Sequence, residues 1–375
     1  MSAADPLRPL IRQLAGIAAP SGNEDRLVAF VVDRLRATGL EPIVDRIGNV
    51  RVELPGRNPG GEAVLVFAHL DELGLVVRAV ELDGYLRVHR LGGVPERVLP
   101  GTHVVVHGQR ADVPAIVGLK AHHLTRPDEK YVARPAEELY LDVGAGSAED
   151  VGRLGIRVGD PVTYAPGWVD LAGDRFSTKS LDDRLGVAAT LELIERLRAD
   201  PPPSPVVVAF AVQEEFNVRG TLAIAAAVRP AVAVCVDITP ATDPPDLRGE
   251  TPVRLGGGPV IARLTFHGRG TLGGLVPHPA LVRALEEAGR RAGIEVQYEA
   301  IVGVITDAAF LPMATAEGIA TAGVGIPVRY THSPVETASL ADVRATIELL
   351  DAFVRLVPEV DLTRGSAQLA LGGIA

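Results

Sequence analysis

Three continuous aliphatic runs, each ending in carboxylate or imidazole side chains, constrain the fold of this chain more than any other feature. The runs are AVLVFAHLD (63–71), PVVVAFAVQEE (205–215) and AVAVCVD (231–237). A strand that is apolar at every position is typical of a parallel sheet covered on both faces. Segments with helical character, near 184–199 and 219–228, lie between or beside the last two runs. The sequence therefore predicts an α/β fold, with helices on both faces of a mixed sheet.

The segment from 76 to 163 has a different pattern. Short alternating stretches such as YLRVHRL, THVVVHG and VPAIVGL are separated there by glycine and proline, which favours a small β-rich unit. Because α/β-type runs lie on both sides of it, we expect an insertion into one larger domain made of residues 1–75 and 164–375. Helices predicted at 6–18 and 23–38 would begin that larger domain. Two domains also agree with the length of 375 residues, since one core usually takes about 100–200 residues.

Charge and cysteine content exclude several classes of function. The formal net charge is −10 and no long basic run occurs, so we expect no nucleic-acid partner and no membrane partner. The segment MSAADPLRPLIRQLAG lacks the apolar core of a signal peptide, which leads us to expect a cytoplasmic protein. The lone Cys235 rules out an internal disulfide and a cysteine-based zinc cluster, and its apolar neighbours predict that it is buried. Small molecules or peptides fit best as substrates.

Polar residues at the ends of the aliphatic runs point to one crevice. His69 and Asp71 end the first run, Glu214 and Glu215 end the second, and Asp237 ends the third. Ligands bind at the carboxyl ends of the strands in open α/β sheets, so we expect these side chains to meet there. Nothing about the packing of a buried strand requires two adjacent glutamates, because their charges repel.

Two further segments supply candidate ligands. SLDDRLG places Asp182 and Asp183 at the start of an amphipathic helix, and YTHSP places His332 in a loop after another strand-like segment. Carboxylates packed together would be driven toward protonation, at about 1.4 kcal/mol per pKa unit. Two divalent metals would remove that conflict. A set of His, Asp and Glu without a thiolate suits zinc, cobalt or manganese better than calcium.

Ten segments across almost the whole chain occur in the order and spacing of a known family. They are APSGNED, AHLDELGLVV, LPGTHVVVHG, LYLDVGAGSAEDV, SLDDRLG, VQEEFNVRG, VDITPATDPP, LGGGPVI, TDAAF and PVRYTHSPVE. In these segments the chain resembles the tetrahedral (TET) di-metal aminopeptidases, which include glutamyl and deblocking aminopeptidases and members once labelled endoglucanases. The resemblance implies that His69, Asp182 and Asp237 hold one metal. It also implies that Asp182, Glu215 and His332 hold the other, with Asp182 bridging the two.

The resemblance also implies a mechanism and an assembly. Glu214 would be the general base, and Asp71 would orient the imidazole of His69. The reaction would be hydrolysis of the N-terminal peptide bond by a water that the two metals share, with zinc as the expected metal and cobalt or manganese as alternatives. The inserted unit, 76–163, would pair two chains, and six such dimers would form a hollow tetrahedral dodecamer that admits unfolded peptides.

Some features leave the specificity and the reaction class open. Phe216 and Asn217 stand where relatives commonly have glycine, and AHH at 121–123 stands where they have Pro-Pro-His, so the substrate preference and a role for His123 stay open. A related di-metal amidohydrolase, such as a deacylase or a carboxypeptidase-like enzyme, would use a similar ligand set. A non-catalytic binding module and a glycosidase that uses the glutamate pair are further alternatives.

Overall fold

The computed structural model describes residues 6–268, 270 and 273–363. The α-helices are α1 (Leu7–Gly16), α2 (Asp25–Ala37), α3 (Ala148–Leu154), α4 (Leu181–Ala199), α5 (Gly220–Val228), α6 (Pro279–Ala292) and α7 (Leu340–Leu356). The strands are β1 (Ile43–Val44), β2 (Val50–Leu54), β3 (Val64–His69), β4 (Gly74–Val80), β5 (Leu86–Leu91), β6 (His103–His107), β7 (Asp112–Val117), β8 (Tyr140–Asp142), β9 (Pro161–Tyr164), β10 (Trp168–Asp170), β11 (Arg175–Thr178), β12 (Val206–Ala211), β13 (Val232–Pro240), β14 (Val260–Phe266), β15 (Gly274–Leu275), β16 (Gln297–Val302), β17 (Ala320–Val328) and β18 (Glu336–Ser339).

A large mixed sheet forms the centre of the molecule, which confirms the predicted fold class. Its strand order is β1-β2-β12-β3-β13-β17-β14-β15, and β16 pairs with β14. The four central strands, β12, β3, β13 and β17, run parallel to one another. Strands β2 and β14 flank them in the antiparallel direction. A separate small sheet has the order β10-β11-β18.

Three of the central strands, β3, β12 and β13, pack against two hydrophobic cores, one on each face of the sheet. In β3, Val64 and Val66 face a core that includes residues of α1, α2, α4, α6 and α7. The alternate residues Leu65 and Phe67 face a second core, which includes residues of α5. Because side chains alternate across a strand, covering both faces requires apolar residues at every position. The continuous aliphatic runs follow from this requirement.

Six strands between β3 and β10 close into a small barrel with the order β4-β5-β8-β7-β6-β9. The barrel has its own hydrophobic core. Strands β4 and β9 approach closely where Leu75 pairs with Val162, and a Cβ added at Gly74 would lie 2.2 Å from the carbonyl oxygen of Val162. The barrel strands run from Gly74, the first residue of β4, to Tyr164, the last residue of β9. The domain limits at 76 and 163 stay a prediction.

The predicted element ends differ from the observed ones where the chain enters the crevice. Strand β12 ends at Ala211, whereas the sequence interpretation extended it to Glu215. Gln213 has a φ of 59°, a left-handed conformation that ends the strand. Glu214 and Glu215 thus lie in a turn and not in the strand. Across the described residues, no helix combines the length and the apolar character that a bilayer span requires.

A buried ionic cluster joins the end of β3 to the start of α4. Glu72 contacts Lys179 through one carboxylate oxygen and Arg184, at 3.5 Å, through the other. The Glu72 carboxylate also accepts hydrogen bonds from the Ser180 hydroxyl and from the Ala19 amide. Burial would raise the pKa of Glu72, but the two cations outweigh burial and lower it. All the charges of this cluster are buried and depend on one another.

Replacing Glu72 with glutamine should destabilise the fold strongly. The Glu72→Gln change leaves two buried cations without their carboxylate, and breaking such a buried pair costs about 3–5 kcal/mol. Glu149→Gln is the matched control, because Glu149 and its partner Arg153 are exposed, so its unfolding midpoint should be unchanged. Urea unfolding at equal protein concentration measures both. Equal midpoints for the two variants would contradict the assigned role of the cluster.

Candidate metal and active site

Two neighbouring strands bring the first three candidate ligands together. His69 is the last residue of β3, and Cys235 of β13 pairs in register with Phe67 of β3. Asp237 therefore lies level with His69. His69 Nε2 is 3.0 Å from Asp182 Oδ1 and 3.9 Å from Asp237 Oδ1. One possible ligand atom from each of the three lies within 4.8 Å of the other two.

Asp182 also belongs to a second group of possible ligands. Its Oδ2 lies 3.3 Å from His332 Nε2, and that nitrogen lies 3.9 Å from Glu215 Oε1. Asp182, Glu215 and His332 again offer one ligand atom each within 4.8 Å of one another. Glu215 Oε1 is buried and accepts no hydrogen bond from any described residue. A buried carboxylate oxygen of this kind, beside an imidazole and a second carboxylate, fits a bound cation.

The carboxylate of Asp71 fixes the turn that carries the two glutamates. Asp71 Oδ1 accepts a hydrogen bond from the Glu214 amide at 2.8 Å, and Oδ2 accepts one from the Glu215 amide at 3.0 Å. Oδ2 also accepts a hydrogen bond of 2.6 Å from the Ser21 hydroxyl. His69 Nδ1 lies 3.1 Å from the backbone oxygen of Asp71 and 3.5 Å from Oδ1. Asp71 is thus in contact with His69 and with both members of the glutamate pair.

Two other buried carboxylates, which sequence reasoning did not select, hold the backbone around the site. Glu336 Oε1 accepts a hydrogen bond from the His332 amide at 2.6 Å, and Oε2 accepts one from the Asp182 amide at 3.2 Å. Glu24 Oε1 accepts a hydrogen bond of 3.1 Å from the amide of Gln213, the left-handed residue before the glutamate pair. Burial raises the pKa of Glu336 to about 8 and that of Glu24 to about 7. The only sequence signal for either was its presence inside a matched segment.

A third unselected carboxylate, Asp307, lies under the site. It is buried, and its Oδ1 accepts a hydrogen bond of 2.8 Å from the Thr221 hydroxyl. Its Oδ2 has no hydrogen-bond partner among the described residues. Burial raises the pKa of Asp307 to about 7. Its negative charge in turn contributes to raising the pKa of Glu214.

The inserted barrel reaches the candidate ligand His332. His332 Nδ1 lies 3.0 Å from the carbonyl oxygen of Gly93, and the Tyr164 hydroxyl donates a hydrogen bond of 3.2 Å to the backbone oxygen of His332. A Cβ added at Gly93 would lie 2.9 Å from His332 Nδ1. If Nδ1 carries the proton donated to Gly93, Nε2 is left as the acceptor that faces Asp182 and Glu215.

Burial dominates the electrostatics of the site. It raises the pKa values of Glu214 and Asp237 well above their ordinary range, and it raises the pKa of Glu215 to about 7. Burial acts in the same direction on Asp182, but contacts with the two imidazoles outweigh it and lower the pKa of that carboxyl. Divalent cations would favour the charged carboxylates and oppose the effect of burial. The donor set of imidazole nitrogens and carboxylate oxygens therefore fits a two-metal centre.

An open cavity of about 460 Å³ lies over the two groups. Its lining contains Asp182, Glu214, Glu215, Asp237 and His332 from the candidate site. The remaining lining residues are Gly93, Pro95, Asn217, Val218, Ile238, Pro240, His267, Gly303, Val304, Ile305, Thr306 and Thr331. The structure brings all the predicted site residues to this cavity or directly beneath it. His123 is exposed in the barrel and is not among the lining residues.

Comparison with known proteins places this chain in a family. Residues 48–349 match the family model described as M42 glutamyl aminopeptidase. The chain belongs to this family. The M42 chain is 38% identical over 336 residues to SgcX of Escherichia coli K12, a provisionally named aminopeptidase, with 89% of this chain and 90% of the relative covered. It is 32% identical to the lysyl aminopeptidase of Pyrococcus furiosus, with 89% and 92% covered.

A solved structure of a family relative shares the architecture. The TET1 peptidase of Pyrococcus horikoshii superposes on this M42 chain with a TM-score of 0.81 at 30% identity, covering 93% of this chain and 99% of that one. Its described assemblies are a tetrahedron and a large octahedral shell. Membership of the family supports a hydrolase of the aminopeptidase class, and M42 peptidases are metal-dependent.

A substitution in the barrel that displaces His332 should weaken the binding of one metal ion. Gly93→Ala introduces a Cβ against the imidazole, and losing support behind a metal-binding histidine typically lowers metal affinity by about 10- to 100-fold. Gly152→Ala is the control, because Gly152 lies in α3 of the same inserted segment and a Cβ there meets nothing within 4 Å. Calorimetric titration of metal-free protein with zinc measures both variants. Unchanged zinc affinity in Gly93→Ala would show that the barrel does not position this histidine.

Proposed function

We propose that this M42 chain is a two-metal aminopeptidase that hydrolyses the N-terminal peptide bond of peptides, with Glu214 as the general base. The observation that carries the proposal is the different placement of two adjacent glutamates. One carboxylate, Asp71, holds both of their amides. Both side chains line the cavity, but Glu215 belongs to a ligand group with Asp182 and His332, whereas Glu214 belongs to neither group.

The proposed metal ligands form two groups, in agreement with the distances between their ligand atoms. His69, Asp182 and Asp237 would hold one divalent metal, Asp182, Glu215 and His332 would hold the other, and Asp182 would face both through its two oxygens. Metals bound there would lower the pKa of a coordinated water toward about 7 and would polarise the substrate carbonyl. Zinc suits this donor set, and cobalt or manganese would also fit.

The residues of the chain would supply the proton transfers. Glu214 is buried in the lining of the cavity, and burial raises the pKa of its carboxyl. Divalent metals in the neighbouring ligand groups would oppose this effect and keep Glu214 ionised, so that its carboxylate could accept a proton from the attacking water. The same group can then donate that proton to the leaving amine. Asp71 would keep Glu214 and the His69 imidazole in place during both steps.

A related amidohydrolase, such as a deacylase or a carboxypeptidase-like enzyme, is the alternative, because the metal-site residues alone do not discriminate these reactions. The family match favours the aminopeptidase. Protein stripped of metal and then reloaded with zinc, cobalt or manganese should cleave peptides with a free N-terminus, including C-amidated ones. N-acetylated peptides should be resistant. Cleavage of the acetylated peptides alone would defeat the aminopeptidase proposal.

The two glutamates should respond differently to the same substitution. Glu214→Gln removes the base but no proposed ligand, so metal content should stay near two per chain while turnover falls by roughly 10²- to 10⁴-fold. Glu215→Gln weakens a ligand, so one metal should bind less tightly and excess zinc should partly restore activity. Elemental analysis and peptide kinetics measure both effects. The opposite pattern would exchange the two roles, and no effect in either variant would place the site elsewhere.

We further propose that the chain assembles through its barrel, and we take the limits of this dimerisation unit as 76–163. Apolar side chains are exposed along one barrel segment, at Leu119, Leu124, Tyr131 and Val132. The TET1 peptidase with the same architecture can form a tetrahedron. A dodecamer of 39.4 kDa chains would have about twelve times that mass. The assembled enzyme would act on peptides in the cytoplasm. It would bind neither nucleic acid nor membranes.

Light scattering should detect the dodecamer in the wild-type protein and its loss in an interface variant. The wild-type protein should be a dodecamer, and Leu124→Arg should reduce the mass because it places a charge in the proposed interface. Leu82→Arg is the control, because Leu82 is also an exposed leucine of the barrel but lies outside this segment, so the mass of this variant should equal that of the wild type. A stable wild-type monomer at micromolar concentration would refute the assembly.

A further inference from the structure

The lining of the active-site cavity divides into a charged part and a neutral part. The ionisable groups are the five candidate-site residues and His267. Among the lining residues that the structure describes, there is no lysine or arginine and no further carboxylate. The other side chains are apolar or carry uncharged hydroxyl or amide groups. Apart from Pro95 of the barrel, the hydrophobic residues, here called the apolar lining, are Val218, Ile238, Pro240, Val304 and Ile305.

The apolar lining comes from segments next to the candidate ligands. Ile238 follows Asp237 directly on β13, and Pro240 ends that strand. Val304 and Ile305 follow the end of β16. Ile238 and Val218 are buried, whereas Pro240, Val304 and Ile305 are half-buried. These last three residues therefore keep apolar surface that a bound ligand can cover.

The charged part of the cavity takes part in the proposed reaction, whereas the apolar lining has no assigned role. A free amino terminus would bind at the charged part of the cavity, beside the carboxylates and the metals that they would hold. The side chain of the first residue must then lie elsewhere in the cavity. A carboxylate or ammonium group placed on the apolar lining would lose its water without gaining an opposite charge, which is strongly unfavourable. An aliphatic side chain would instead gain from burial.

We propose that the enzyme selects peptides whose first residue is uncharged and apolar, such as leucine, isoleucine or methionine, and that this side chain binds the apolar lining. The inference rests on the proposed aminopeptidase function and specifies its substrate class. The family description names a glutamyl specificity and the Pyrococcus furiosus relative is named for lysine, so the prediction separates this chain from both. A glutamate substrate is the sharpest competitor, because His267 in the lining would favour a carboxylate over an ammonium group.

Kinetics on a matched peptide series test the preference. Metal-loaded wild-type protein is given peptides that differ only in their first residue, which is Leu, Met, Glu or Lys. The kcat/KM values for Leu and Met should exceed those for Glu and Lys by about 10²-fold or more. A wild-type preference for Glu or Lys would overturn the inference, although it would leave the aminopeptidase proposal intact.

Substitutions at Ile305 test where the side chain binds. Ile305→Lys should raise kcat/KM for the Glu peptide relative to the Leu peptide by at least about 10-fold, and Ile305→Glu should do the same for the Lys peptide. Val302→Lys is the control, because Val302 is exposed on the same segment and does not line the cavity. Its ratios should equal those of the wild type. Unchanged ratios in both Ile305 variants would overturn the assignment of the apolar lining.

A binding measurement separates failure of this inference from failure of the proposed function. Calorimetry with free leucine, glutamate and lysine on the metal-loaded wild-type protein requires no turnover. Leucine should bind at least about 10-fold more tightly than the two charged amino acids. If no peptide is hydrolysed but leucine keeps this advantage, the aminopeptidase proposal fails and the selectivity of the lining stands. Equal or tighter binding of glutamate or lysine overturns the inference.

Discussion

The carboxylate of Asp71 is the interaction on which the rest of the site depends. Its two oxygens accept hydrogen bonds from the amides of Glu214 and Glu215, and its backbone oxygen contacts the imidazole of His69. One residue, two positions after the end of β3, therefore contacts the His69 imidazole and holds the backbone of both glutamates. Because Glu24 holds the preceding residue, Gln213, the turn after β12 is supported by two buried carboxylates.

The buried acidic groups of the crevice have nitrogen-bearing side chains both among them and behind them. Within it, the imidazoles of His69 and His332 contact Asp182. Behind it, the Glu72 cluster carries Lys179 and Arg184, and the Arg184 side chain also donates hydrogen bonds to the carbonyl oxygens of Leu14 and Ile17. The ionic cluster thus links the first helix, the end of β3 and the start of α4. The position of Asp182 follows from the same segment.

The site residues that the sequence predicts are polar or charged residues at the ends of otherwise apolar segments. His69, Glu214, Glu215 and Asp237 stand out because charge has no packing role at the end of a fully apolar strand, and parallel strands bring such ends together. The supporting carboxylates Glu24, Glu336 and Asp307 lie in loops, at a strand end or in a short turn, where acidic residues are ordinary. Their burial and their backbone partners arise only from long-range packing, which a single sequence does not display. The end of β12 was predicted too late for a similar reason, since a left-handed glutamine leaves no compositional signal.

The contact between Gly93 and His332 has a consequence for how this chain can diverge. The barrel occupies a continuous stretch of sequence and has its own core, which are the usual attributes of a unit that recombination can exchange or delete. Yet a backbone carbonyl and a tyrosine hydroxyl of the barrel both contact His332. A foreign insert would have to reproduce those two atoms at the same place, so the barrel and the crevice are expected to be inherited together.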